Sequence, residues 1–200
     1  MTSQQATKLA LGFAATVVIC LVVVLFNSDW QRDAQTGGED GILGGEFTLQ
    51  HLDGTVSLSD FRGQIVVVYF GFLNCPEICP TSMSVIAKAL KRLDVDELAQ
   101  VQPMLISVDP ERDSLENLKA FTGYFHPKIL GITGSQSDID HVVNEYGAYL
   151  EVIDSTTPGS AYEFFHTSRY YVINQDGELV DAMRHGTTVN ELVARIRTLI

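Results

Sequence analysis

A chain of 200 residues that is 46% hydrophobic and only 19% charged, with 25 acids against 13 bases and a mean hydropathy of +0.12, is greasier than an ordinary soluble domain. The excess sits in one place, because Lys8 and Asp29 bracket an uncharged stretch in which residues 9–26 form a near-continuous apolar run. These features exclude a multi-pass transporter and a wholly cytosolic enzyme, and the net charge of −12 excludes a nucleic-acid partner, since phosphate binding needs clustered Lys and Arg.

A helix over residues 9–26 would be about 27 Å long, close to the ~30 Å hydrocarbon core of a bilayer. Lys8 and the terminal amine precede it without an acid, while Asp29, Arg32, Asp33, Glu39 and Asp40 follow. That asymmetry puts residues 1–8 in the cytoplasm and the remainder across the membrane. No Ala-x-Ala follows Phe26, so the segment reads as a single transmembrane anchor and not as a cleaved signal peptide. Cys20 follows Ile19 rather than a small residue and reads as an inert membrane residue, not a lipid-attachment site. The few residues before Lys8 leave no room for an Arg-rich transit peptide, which points to a bacterial inner membrane with the exported part in the periplasm. Residues 27–41, rich in Gly, Asp, Glu and Gln, read as a flexible tether. Residues 42–200 are then the working domain.

Within that domain, residues 45–51 alternate like an edge strand, and Asp53-Gly54 turns the chain into a second short strand at 55–58, which makes an N-terminal β-hairpin. Residues 65–70 are a β-branched and aromatic run, the pattern of a strand covered on both faces, and residues 101–108 repeat it with Pro103 near the start. Between them, Met83, Ile86, Ala87, Leu90 and Leu93 have helical spacing and predict a helix over 81–93. Strand, helix and strand in this order imply a right-handed parallel crossover. Helices are expected at 114–121 and 135–146 with a short strand at 128–132 between them, then strands at 169–174 and 178–183 around Gln175-Asp176-Gly177, and a closing helix at 189–199. The order is that of a thioredoxin-like α/β layer.

With Cys20 assigned to the membrane, two cysteines remain, in Cys75-Pro76-Glu77-Ile78-Cys79-Pro80. They fall between the strand ending at Phe70 and the helix expected from Thr81, where a βα loop presents its residues beyond the carboxyl end of a sheet. Amides and dipole at the helix start favour thiolate there. A purely stabilising disulfide is the plain alternative, but so short a loop would remove little entropy from the unfolded chain. Dithiol exchange, peroxide reduction and soft-metal binding remain. Exchange enzymes of this fold have two residues between the cysteines, whereas here there are three, and copper(I) favours thiolate while copper(II) adds imidazole readily. Of the histidines, His51, His126 and His141 read as solvated or capping residues. His166, in Phe164-Phe165-His166-Thr167-Ser168, stands on a loop before the 169–174 strand, and His185 is the alternative ligand.

Gly44-Gly45-Glu46-Phe47, Tyr69-Phe70-Gly71-Phe72, the Cys75–Pro80 element with Thr81, Ser107-Val108-Asp109-Pro110-Glu111-Arg112-Asp113, Gly131-Ile132-Thr133-Gly134 and His166-Thr167-Ser168 follow one another in the order of the Sco/SenC family. The chain resembles that family over residues 44–200, and the same single anchor precedes the domain. The resemblance implies a thioredoxin-like copper protein whose metal ligands are Cys75, Cys79 and His166. It implies a role in maturing the copper centre of cytochrome c oxidase, with subunit II or another apo-cuproprotein as partner and other periplasmic copper chaperones as further partners. Copper delivery is the first reading. In the alternative, a thiol–disulfide oxidoreductase, Cys75 and Cys79 are a redox-active pair that keeps the oxidase cysteines reduced. Two positions depart from the family pattern: Phe165 stands where Asp often precedes the histidine, and Asn74 where His or Asp often precedes the first cysteine. Asp109 and Asp113 match the acidic family motif and read either as a partner-facing surface or as turn formers, with Asp113 or Ser114 capping the helix that follows.

Overall fold

The computed structural model describes residues 43–154 and 162–200, and the side chains of 153–166 lie outside that description. The expected anchor at 9–26, Cys20 and the tether at 27–41 therefore lie outside the described residues. Among those described, no helix is long and apolar enough to cross a membrane.

The chain begins with the expected hairpin, β1 (Thr48–His51) and β2 (Gly54–Ser57), whose turn needs a glycine because Gly54 has a φ of 137°. Paired backbone bonds between Gln50 and Thr133 fasten it to the chain just beyond Ile132, and Leu49 and Phe47 bury their side chains beneath it. After a short 3-10 turn (Leu58–Phe61), β3 (Ile65–Gly71) runs through the middle of the molecule with all seven residues buried. Each of its large apolar side chains contributes about 1.5–3 kcal/mol by leaving water. The chain then forms α1 (Ile78–Leu90), α2 (Val95–Ala99), β4 (Val101–Ser107), α3 (Leu115–Phe125), β5 (Leu130–Ile132) and α4 (Gln136–Glu145). It finishes with β6 (Leu150–Asp154), β7 (Tyr162–His166), β8 (Arg169–Ile173), β9 (Leu179–Arg184) and α5 (Val189–Arg197).

The main sheet has the order β5-β4-β3-β8-β9. β3, β4 and β5 are parallel, while β8 is antiparallel to both β3 and β9. This is the thioredoxin-like layer expected from the order of elements. Pro103 is tolerated inside the sheet because it lies before the stretch of β4 that pairs with β5, and the Gln102 side-chain amide donates to the carbonyls of Pro103 and Lys128 there. The two faces of β3 are covered differently. Phe70 meets Tyr146 and Tyr171 edge to face, while Tyr69 and Gly71 look toward α1.

Three features differ from the sequence expectation. α1 starts three residues early, so that Cys79 and Pro80 lie in its first turn; Pro80 fits because amides there have no intrahelical acceptor to lose. α2 is only five residues long, too short for periodicity to mark, and is held by Asp94, whose carboxylate accepts from the Asp96 and Glu97 amides. Residues 150–154 and 162–166 form a second hairpin with its own two-stranded sheet, which puts His166 at the end of a strand, opposite Leu150, and not on a loop.

Candidate metal centre

β3 ends at Gly71, and the chain turns through Phe72-Leu73-Asn74 before reaching Cys75. The Cys75 N–H donates to the Phe72 carbonyl at 3.3 Å, which closes this turn. Cys75 and Cys79 are both buried and are not joined by a disulfide. The first turn of α1 joins them: the Cys79 N–H donates to Cys75 Sγ at 3.3 Å. Of the two sulfurs, Cys75 thus faces the positive end of the helix.

Gly71 makes room for the second sulfur. A Cβ at this position would stand 3.0 Å from Cys79 Sγ and 3.2 Å from both Leu105 Cδ1 and Tyr69 Cε1. The hydrogen bond with Cys75, then burial, then the charge Cys75 would carry all push the Cys79 thiol far above its usual range. Two thiolates cannot share so small a buried space, so Cys79 keeps its proton until another cation takes its place. Burial likewise raises the Tyr69 phenol, and the nearby Cys79 adds to the effect, while the Ser82 and Ser168 hydroxyls oppose it.

His166 reaches this end of the sheet by topology. Thr167 and Ser168 alone separate it from β8, and Tyr170 of β8 pairs with Tyr69 of β3 next to the cysteine turn. Two bonds fix the junction, from Thr167 N–H to the Tyr149 carbonyl at 2.9 Å and from Tyr149 N–H to Thr167 Oγ1 at 2.8 Å. The side chains of His166 and Phe165 lie outside the described part.

The other histidines have separate places. His51 Nδ1 accepts from the Asp53 amide, and His126 Nδ1 accepts from the Lys128 amide just beyond α3, a capping role as expected. His141 is exposed on α4. His185 follows β9 at the same end of the sheet as the cysteines, with its Nδ1 3.2 Å from the buried Ser82 hydroxyl. Among the described residues, no three His, Cys, Asp or Glu side chains converge as a metal-binding group.

The reading of Asp109 and Asp113 as a partner-facing surface is corrected: they are 1% and 3% exposed. Asp109 pairs with Arg112, and Ser114, not Asp113, caps α3 by accepting from the Asn117 amide. Sequence reasoning also passed over Gly71, Tyr69 and Ser82. Period two along β3 aligns Tyr69 with Gly71, and Ser82 stands three residues beyond Cys79 on the same helix face, so these signals were present. What the arrangement offers chemically is two sulfur donors preset side by side, one retaining a proton that a soft metal ion or disulfide formation would remove.

Comparison with known proteins adds a lineage. The family model described as SCO1/SenC matches residues 35–200. The mitochondrial SCO2 homolog of Mus musculus is 34% identical over 172 residues, covering 84% of this chain and 67% of that protein. The chain spans about half to two thirds of the length of this and other curated mitochondrial relatives. Arabidopsis thaliana ScoI, whose crystal structure has copper bound, superposes with a TM-score of 0.71 at 30% identity, covering 78% of this chain and 96% of that one. BsSco, described as a member of the Sco family of cytochrome c oxidase assembly proteins and as containing a disulfide switch, superposes with a TM-score of 0.63 at 25% identity, covering 80% of this chain and 94% of that one.

Proposed function

The chain belongs to the SCO1/SenC family, and from that premise we propose that it is a membrane-anchored copper chaperone for cytochrome c oxidase assembly, holding its cargo on Cys75, Cys79 and His166. The observation that carries this reading is the thiol pair at the start of α1, with the Cys79 amide on Cys75 Sγ and the second sulfur seated over Gly71. Soft, closely spaced sulfur donors suit copper(I), and a histidine whose backbone ends β7, two residues from β8, could add the imidazole that suits copper(II). Loading removes the Cys79 proton, and an incoming thiolate of the acceptor then takes the ion by ligand exchange without its release to water. Residues 9–26 serve as the anchor, 27–41 as the tether and 42–200 as the working domain on the periplasmic side of a bacterial inner membrane, beside subunit II of the oxidase as acceptor.

A specific observation favours a second reading. Two buried thiols joined across the first turn of α1 by the bond from the Cys79 amide to Cys75 Sγ are also set up for exchange, in which one thiolate attacks a partner disulfide and the other resolves the mixed disulfide. One experiment separates the two. The reduced full chain is titrated with copper and its thiols are counted, and it is then incubated with a copper-free copper-A fragment of subunit II. Delivery predicts one copper bound and transferred. A chain that transfers none, but reduces the oxidised fragment while its own cysteines become paired, is the oxidoreductase.

A further inference from the structure

The segment Ser107–Asp113, in which Ser107, Asp109 and Asp113 are buried, leads from β4 to α3, and the polar groups of these three are largely used within it. The Asp109 amide donates to Ser107 Oγ at 3.1 Å, the Asp113 amide donates to the Asp109 carbonyl at 3.0 Å, and Arg112 pairs with the Asp109 carboxylate. Asp113 Oδ2 does something else. It accepts from Ser107 Oγ at 2.6 Å and from the backbone amide of Leu73 at 3.0 Å, 40 residues away in sequence. The two ordinary tasks for an acid at this place are already filled, since Ser114 caps α3 and Asp109 holds Arg112. A carboxylate that is 3% exposed is costly to bury, and burial accordingly raises its pKa, so its place calls for an explanation.

Leu73 supplies it. This residue is in the middle of the turn that the Cys75 amide closes on Phe72, two residues before Cys75 itself. We infer that Asp113 is a positioning residue for the thiol pair, its carboxylate clamping the Leu73 amide so that the 72–75 turn presents Cys75 Sγ to the Cys79 amide. The inference rests on reading Cys75 and Cys79 as the copper pair, but the clamp is measurable without copper. A carboxylate suits the task because bonds to a charged acceptor are roughly twice as strong as neutral ones, and one oxygen can bind the hydroxyl and the amide together.

The test compares full-length Asp113→Ala, Asp113→Asn and Ser107→Ala with a core variant remote from the turn, Val142→Ala on α4. Two quantities are measured: amide hydrogen exchange at Leu73 and Cys79, and the copper(I) dissociation constant by chelator competition. In Asp113→Ala, exchange at both amides rises and copper(I) binds about tenfold more weakly, the loss expected for one strong hydrogen bond. Asp113→Asn, whose side-chain oxygen still accepts both bonds, stays within about threefold of the parent chain on both measures. Ser107→Ala moves both in the same direction by less, and so tests the clamp even if Asp113→Ala does not fold. The inference is overturned if Cys79 exchange and copper affinity in Asp113→Ala match the parent, if Asp113→Asn fails as badly as Asp113→Ala, or if Val142→Ala gives the same changes at equal loss of thermal stability. A parent chain that binds no copper would overturn the proposed function instead, and Cys79 exchange would still decide the clamp.

Discussion

The sulfur donors stand where the central strand β3 hands over to α1 and the proposed imidazole donor ends a strand of a separate two-stranded sheet, and the two supports differ in kind. Cys75 ends the turn that follows the fully buried β3 and Cys79 lies in the first turn of α1, with Asp113 bonded to the turn that leads to them. His166 ends β7, which pairs only with β6 among the described strands, and two bonds between Thr167 and Tyr149 fix the junction to β8. A donor built into a packed core is in position before its ligand arrives. One carried on an appended hairpin can be lost without disturbing the other two. The comparison teaches that the site should behave as a sulfur site with an imidazole added.

The most severe way to break the sulfur half is Cys75→Ser or Cys79→Ser, which should weaken copper(I) binding about a thousandfold or more, as a hard hydroxyl replaces a soft thiolate. Copper(I) competition titration checks it. On the other half, His166→Ala should cost copper(II) about a hundredfold and copper(I) less than about fivefold, with loss of imidazole nitrogen couplings in the copper(II) resonance spectrum. Equal losses for both oxidation states would break the comparison itself.

Acidity sharpens it. Because the Cys79 proton is held well above the usual thiol range, it is present throughout neutral pH and must leave on loading. Copper(I) affinity should therefore fall as pH falls, by about tenfold per pH unit for that one proton. A plateau above about pH 6.5 would mean that only an imidazole proton was competing. The smallest effect comes from Gly71→Ala. Its methyl group would press on Cys79 Sγ, Leu105 and Tyr69, and overpacking of this kind costs about 1–3 kcal/mol. Thermal unfolding should register that loss, with copper(I) weakened about fivefold, whereas a methyl added at the solvent-facing Gly123, which meets nothing, should leave copper binding unchanged.

Much of the architecture was legible because it depends on local pattern. Asp53-Gly54 announced the first hairpin, the runs at 65–70 and 101–108 announced the buried parallel pair, and α1 showed its spacing at Met83, Ile86 and Leu90. The second hairpin was not legible, since Leu150–Asp154 has little alternation that could be told from a loop and its partner is defined only by pairing. The start of α1 was misplaced because Cys-Pro reads as loop, although a proline in a first turn gives up no helical bond. At the site, the cysteines were evident from type and spacing. Asp113 was visible as a letter but not as a contact with Leu73, because a bond across 40 residues leaves no periodic trace.

The bond from the Cys79 amide to Cys75 Sγ also bears on how the helix begins. Glu77 occupies the N-cap position of α1 but offers no side-chain acceptor to the first turn, and Cys75 Sγ takes one of the waiting amides instead. Cys75 is thus punctuation as well as chemistry. The helix starts where a sulfur can receive it, so every event that draws electron density from that sulfur, whether oxidation or taking up a metal, weakens the bond that opens the helix.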